Sequence, residues 1–263
     1  MGKILEIIDL SYMNFNRINL SFDDKTYYSI IGPNNCGKTT LFKLISGIIP
    51  SNDSIYYRDI PLNLKNKWDY ITNFGIVDRV NENSFIYKKI FDEMMYPLRN
   101  LGYSESKCLE RINDVTGFFD TKDYLDKDIK DLNYYEKELL LIMISLLHKP
   151  KILLLDSVLE IFPDNMKEKI VKVLRRLVMN GMTIINFTSF LDSAYDSDKF
   201  ILLDDYKIIG EYTKHDIYKD DKFFYEHNLE IPFMIDLSIK LKMYSLVDKE
   251  YSSMKAMVDD LWP

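Results

Sequence analysis

The sequence predicts an α/β protein with a mainly parallel sheet, an all-helical insertion and a small C-terminal appendage. Three observations carry this. Short apolar runs of β character alternate with runs of helical spacing, which is the pattern of strands joined by crossover helices. The alternation fails between about Phe85 and Leu147, where helices appear without a convincing strand. It changes again after Lys219, where only short amphipathic runs remain.

Taken in order, the strands are expected at Ile4–Leu10, Ile18–Phe22, Tyr27–Ile31, Phe74–Val77, Lys151–Leu155, Met182–Phe187 and Lys199–Leu203. Each is short enough to be a strand. Helical spacing covers Thr39–Ile48, Phe85–Asn100, Glu105–Phe119, Tyr134–Leu147 and Asn165–Val178. In the tail, Phe233–Leu241 and Met254–Leu261 are amphipathic. The organisation expected is a core from residues 1–84 and 148–220, a helical subdomain at 85–147 and an appendage at 221–263.

Composition narrows the class. With 263 residues, 47% hydrophobic and 29% charged, and only 9 glycines and 8 prolines, the chain can bury a core and is not of disordered or collagenous type. Its net charge of -7 argues against an electrostatic nucleic-acid footprint, so no nucleic-acid partner is expected. Cys36 and Cys108 are too few for a disulfide framework and match no zinc spacing, which favours a reducing, cytoplasmic setting. The first residues lack a signal-peptide core, and Glu6 stands where a myristoylation motif wants Ser or Thr. The longest apolar stretch, Leu139–Leu147 interrupted by Ser145, is far below the roughly 20 residues that span a bilayer.

The strongest chemical signal is Gly32-Pro33-Asn34-Asn35-Cys36-Gly37-Lys38-Thr39, a complete GxxxxGK[ST] between a predicted strand and a predicted helix. In that context the backbone N–H groups of Gly32, Asn34, Asn35, Cys36, Gly37, Lys38, Thr39 and Thr40 cradle phosphates, Lys38 adds charge and Thr39 offers a hydroxyl to Mg²⁺. A P-loop core that binds a nucleotide and Mg²⁺ is therefore expected. Lys151-Ile152-Leu153-Leu154-Leu155-Asp156 is a buried-type strand ending in a carboxylate, and Asp156 joins Thr39 as the expected metal site. Cys36, among the loop amides, is either an activated thiol or a small residue filling a small slot. Asn66-Lys67-Trp68-Asp69 and Asp114-Val115-Thr116-Gly117 match GTPase motifs, but in reversed order and with Asp114 on a helix, so both read as chance matches on solvated faces.

With these residues in place the sequence resembles an ABC-type ATPase subunit. Leu132-Asn133-Tyr134-Tyr135-Glu136 stands where that family has its LSGGQ signature, and is followed by the family-like LLHKPKILLLD. The ending, NLEIPFMIDLSIKLK through KAMVDDLW, further resembles the C-terminal appendage of energy-coupling factor (ECF) transporter ATPases, so the likeness covers nearly the whole chain. The departures fall on functional positions. The resemblance puts Arg79 where the family has the Gln that contacts Mg²⁺ and the transmembrane subunit. Ser157 replaces the catalytic Glu, and Ser189 the switch His. Tyr134 and Tyr135 replace the two signature glycines, while Asn133 and Glu136 suit a capping box at the start of an ordinary helix. For adenine stacking, Tyr12 and Phe15 bracket the family's aromatic position, which Asn14 occupies.

The resemblance implies an ATP-binding subunit of an ECF-type importer for a micronutrient, peripheral on the inner face of the plasma membrane. It would pair with a second ATPase subunit, more readily as a heterodimer than a homodimer, and with transmembrane coupling and substrate-binding subunits. Its own catalytic site would be impaired, none of the family's catalytic groups being intact. The alternative is a non-hydrolysing pseudoenzyme with a structural or regulatory role. A soluble ABC protein acting in translation or DNA repair is disfavoured by the acidic balance and the tail.

Overall fold

The computed structural model describes residues 2–63, 65–218, 221–251 and 254–261. From the N-terminus, β1 (Lys3–Tyr12) and β2 (Phe15–Asp23) form an antiparallel hairpin, and β3 (Tyr27–Ile31) leads through a loop into α1 (Lys38–Ile45). β4 (Ile55–Tyr57) and β5 (Ile60–Pro61) follow, then α2 (Lys67–Asn73) and β6 (Phe74–Val77). Three helices come next, α3 (Ile90–Asn100), α4 (Glu105–Phe118) and α5 (Tyr134–Leu146). β7 (Ile152–Asp156), α6 (Asp164–Met179), β8 (Thr183–Thr188), β9 (Lys199–Asp204) and β10 (Lys207–Thr213) complete the sheets. The chain then runs through α7 (Lys214–Tyr218), α8 (Lys222–Glu226), α9 (Phe233–Met243) and α10 (Met254–Leu261).

The fold is α/β with two sheets. A four-stranded antiparallel sheet has the order β2-β1-β4-β5, and a six-stranded sheet the order β10-β9-β3-β8-β7-β6. In the second sheet all pairs are parallel except the edge pair β10–β9. Strands β3, β7 and β8 are buried along their whole length because both faces are covered. The period of two then divides the core. Leu153 and Leu155 face a helical layer containing Met94, Ile112, Leu140 and Leu174, while Ile152 and Leu154 face Leu41, Phe42 and the antiparallel sheet. Strands β1 and β2 are buried only in part, as a sheet with one face toward solvent should be, and irregular register between Ile7 and Leu10 breaks a strict alternation.

Several elements differ from expectation, each for a local reason. The helix expected from Phe85 begins at Ile90. The buried Glu93 carboxylate accepts the N–H groups of Ile86 and Tyr87 at 2.9 and 2.7 Å, which holds that segment extended ahead of the helix. The helix expected to reach Ile48 ends at Ile45, and Gly47 follows with φ 71°. Strands β4, β5 and β10 were not foreseen; β4 and β5 are three and two residues long, and β10 is a half-exposed edge strand.

The tail shares a core with the large sheet. Phe223, Phe224, Leu229 and Ile235 pack with Ile31, Leu191, Phe200 and Leu202, so α8 and the start of α9 cover one end of β3 and β9. A second, smaller cluster joins Met234 to Val247, Tyr251 and Met257. A cut at residue 223 therefore opens the core, whereas one after Met243 leaves the first cluster whole. No helix among the described residues is long and apolar enough to cross a membrane.

Candidate nucleotide-binding site

The loop at 32–37 lies at the C-terminal end of β3, between β8 and β9 in the parallel sheet. Gly32 is required by space: an added Cβ would stand 2.0 Å from the Leu203 carbonyl oxygen. Gly37 is required by both conformation and space. Its φ is 109°, and a Cβ there would meet the rings of Tyr206 and Phe15 at 2.8 and 2.9 Å. Asn35 takes the left-handed region as well, with φ 64°. Helix α1 then starts with no side-chain cap and no acidic residue in its first turn, so its leading N–H groups are left for an anion.

Lys38 is buried and folded over this loop, its ammonium donating to the carbonyls of Gly32 and Pro33 at 2.8 Å each and to Cys36 Sγ at 3.6 Å. Asp156 ends β7 and is buried; burial pushes its carboxyl above the usual range, and the nearby Thr39 hydroxyl opposes the shift. Among the described residues its Oδ1 has no hydrogen-bond partner, and a buried carboxylate oxygen of this kind suits a cation. Thr39 and Asp156 are hard oxygen donors of the type Mg²⁺ prefers, and as only two ligands they leave the rest of its shell to phosphate and water. Cys36 is buried, and burial raises its thiol in spite of Lys38, so the loop does not activate it.

The two aromatic candidates separate. Phe15 is 2% exposed, with its edge against Gly37 and its ring set at 78° to Tyr206, 5.2 Å between centroids, so it has no face to offer a base. Tyr12, paired with Phe15 across the β1–β2 turn, is only partly buried and remains available. Tyr206 is a residue that sequence reasoning missed. It lies in the β9–β10 turn, where Asp205 and Tyr206 have φ 42° and 61°, and its N–H donates to Cys36 O at 3.0 Å. The adjacent Asp204-Asp205 before an alternating run is the signal that could have marked that turn.

Around the loop a polar network joins segments far apart in sequence. The Ser189 hydroxyl donates to Asn34 Oδ1 at 2.9 Å, and the Ser189 N–H donates to Glu160 Oε1 at 3.0 Å. Thr188 Oγ1 donates to that same Oε1 at 2.6 Å. The other carboxylate oxygen pairs with Arg79 Nη2 at 2.8 Å, and Arg79 Nε donates to Ser157 O at 3.2 Å. Glu160 is only 7% exposed and both its oxygens are taken. Ser157 has φ 57°, fixed by its N–H to Phe187 O at 2.8 Å. Ser189 and Asn34 are thus in contact, while Ser157 does not touch either and is linked to them through Arg79 and Glu160.

At the N-terminus of α5, Asn133 and Glu136 form a complete capping box, with Asn133 Oδ1 accepting the Glu136 N–H at 3.0 Å and the Glu136 carboxylate accepting the Asn133 N–H at 2.8 Å. Tyr134 and Tyr135 stand beside it, 46% and 39% exposed.

An uncapped helix N-terminus after a glycine loop, a lysine folded into that loop and a strand-end carboxylate beside its threonine define a P-loop nucleotide-binding domain. Residues 15–160 match the ABC transporter family, more than half of the chain, and the protein belongs to that family. It is similar to the energy-coupling factor transporter ATP-binding protein EcfA1 of Lactobacillus acidophilus, 29% identical over 86% of this chain and 82% of the relative. The EcfA1 of Bacillus subtilis is 25% identical over 93% of this chain and 88% of its own. Among solved structures, CbiO1 of Clostridium perfringens, described as part of the ABC transporter complex CbiONQ, superposes with a TM-score of 0.77 at 21% identity, covering 90% of this chain and 99% of that one.

Proposed function

We propose that the chain is the ATP-binding subunit of an ECF-type importer, binding Mg-ATP at residues 32–40 with Asp156, and with little catalytic capacity of its own. The observation that carries the nucleotide reading is the unspent N-terminus of α1 facing a loop that only glycine can build at 32 and 37. The ECF reading rests on similarity to EcfA1 proteins across 86% of the chain or more, which reaches well past the ATP-binding motifs into the tail. In this reading Lys38 and the loop amides hold the phosphates, Mg²⁺ supplies charge neutralisation at Thr39 and Asp156, and Tyr12 lies against the base. The subunit sits on the inner membrane face, paired with a second ATPase subunit and docked on a transmembrane coupling subunit that serves a separate substrate-binding subunit.

Saturating Mg-ATP, at 100-fold above Kd, should stabilise the chain by about 2.7 kcal/mol. For this size that is a rise in Tm of roughly 5 to 10 °C. Lys38→Ala should remove most of the shift in a thermal melt. No shift at millimolar Mg-ATP overturns the nucleotide reading.

The tail is assigned to subunit pairing, and the packing of α8 decides how to test it. Removing residues 244–263 should leave the Mg-ATP shift in place and weaken association with a partner ATPase subunit, measured by sedimentation. Removing 223–263 should instead lower Tm sharply without nucleotide, since a buried Phe contributes roughly 1.5 to 3 kcal/mol and two are lost here. Full pairing by the 244–263 deletion overturns the assignment.

A second reading, a pseudoenzyme that binds ATP and turns nothing over, is favoured by one arrangement. Ser157 and Ser189 offer hydroxyls where the family has a Glu and a His, and the neighbouring Glu160 is held through both oxygens. Single-turnover hydrolysis in the assembled complex separates the two readings.

A further inference from the structure

We propose that a cavity apart from the nucleotide site, between the C-terminal end of α1, α2 and β6, binds a small uncharged molecule with an apolar body and one hydroxyl group. The cavity has a volume of about 320 Å³ and apolar walls from Ile49, Leu62, Ile71 and Ile76. Ser51 and Tyr70 also line it. They are 4% and 5% exposed, and among the described residues neither hydroxyl has a hydrogen-bond partner.

Those two hydroxyls are the observation that points to a ligand. A buried polar group is normally paired, because leaving it unpaired costs its full desolvation. Tyr70 is placed by packing, its ring stacked on Phe74 with 4.3 Å between centroids and 11° between planes. A phenyl ring would stack there as well, so the fold gives no account of the phenol oxygen. Ser51 follows the turn after α1; its carbonyl accepts the Ser54 N–H at 3.1 Å, while its hydroxyl serves nothing in the fold. Other polar groups of the lining are already engaged. Ser46 Oγ donates to the Lys43 carbonyl at 3.2 Å, and the Asn63 amide donates to the Asp53 carboxylate at 2.9 Å.

The lining also sets the chemistry of the ligand. Apolar walls with a few unspent polar groups are the make-up of a small-molecule site, the walls giving affinity and the polar groups orientation. The charged residues at the cavity, Lys67 and Asp53, are exposed and opposite in sign, so nothing there selects an ion. A hydroxyl both donates and accepts, and can therefore pair with Ser51 and Tyr70 together. The volume lies at the small end of ligand cavities, which run from roughly 300 to 1,000 Å³, and suits a single substituted ring. The frame is fixed in advance by the Asn63–Asp53 bond and by the Leu62 N–H donating to Ile55 O at 2.7 Å. Helix α1, eight residues and about 12 Å long, separates this cavity from the phosphate loop, so its ligand does not compete with a nucleotide.

The test is a titration of the full chain with p-cresol, toluene and 4-methylbenzoate, followed through the methyl NMR signals of Ile49, Ile71 and Ile76. The three probes share a ring and a methyl group and differ in the polar group alone. A merely apolar groove would favour toluene, the most hydrophobic of them. We expect p-cresol to bind at least about 5-fold more tightly than either of the others, because only it brings a neutral partner for both hydroxyls. Mg-ATP should leave its affinity within about 2-fold, as for independent sites. Ser51→Ala and Tyr70→Phe should each weaken p-cresol about 2- to 10-fold, the net worth of one hydrogen bond, and leave toluene unchanged. Since each removes an unpaired buried hydroxyl, neither should lower Tm without ligand. Toluene binding as tightly as p-cresol to wild type, or no response of these methyls, overturns the proposal without any variant. So does a lower Tm in both variants, which would mean that the hydroxyls are paired within the fold. Loss of p-cresol when membrane partner subunits bind the chain would make the cavity a protein-docking surface, and overturns it too.

Discussion

Under single-turnover conditions the wild-type chain should release phosphate from ATP at background, alone and at concentrations where it pairs. A positioned general base is worth about 10² to 10⁴ in rate, and neither residue at the end of β7 that would supply one is free to do so. Ser157 has no carboxylate, and Glu160 gives one oxygen to Thr188 and Ser189 and the other to Arg79. Taking a proton from water would require it to break that network. Ser157→Glu alone should recover little, for two reasons. The new carboxylate would stand near Glu160, which is held through Arg79 beside the Ser157 carbonyl. Residues that act as a unit are also strongly non-additive. Ser157→Glu with Ser189→His, and with a partner supplying an intact signature, should recover clearly more. Rapid release by the wild-type chain alone would sink the impaired-site reading and make Glu160 the first residue to replace.

Gly32→Ala should be the most damaging methyl that can be added to the protein's phosphate loop. The new carbon would sit 2.0 Å from the Leu203 carbonyl oxygen, a backbone atom of the neighbouring parallel strand, so relief requires β3 and β9 to part. Overpacking of this kind costs about 3 kcal/mol or more when the neighbour cannot yield. We expect a large fall in Tm together with loss of the Mg-ATP shift. Gly117→Ala is the contrast. It lies within α4 with only the flexible end of Lys122 nearby, at 3.6 Å, and should be neutral or stabilising by up to about 1 kcal/mol. Similar melting curves for the two variants would show that the loop is not packed against β9 as described.

Much of the architecture was legible because it is written in short-range pattern. Strands β3, β7 and β8 are continuous apolar runs, and such runs in alternation with helices give a covered parallel sheet. The capping box at Asn133 and Glu136 could be read from two residues three apart, because cap geometry involves only one turn of chain. The helix start at Ile90 could not, because it depends on where a buried Glu93 side chain finds its donors.

The candidate site divides along the same line. The sequence by itself determined the glycine loop, the lysine and threonine that follow it and the carboxylate ending an apolar strand, since loop, strand end and helix start are local. Only the tertiary structure decided that Phe15 is sealed beneath Tyr206, that Phe223 and Phe224 belong to the core, and that Glu160 is committed to Arg79 and Ser189. The side-chain contacts that join Thr188, Ser189, Glu160, Arg79 and Asn34 in the polar network cross 28 to 155 residues of chain. They exist because parallel strands bring their C-terminal ends together at one edge, where loops distant in sequence become neighbours. Periodicity records which face of an element is buried; it carries no record of which partner a polar side chain meets there.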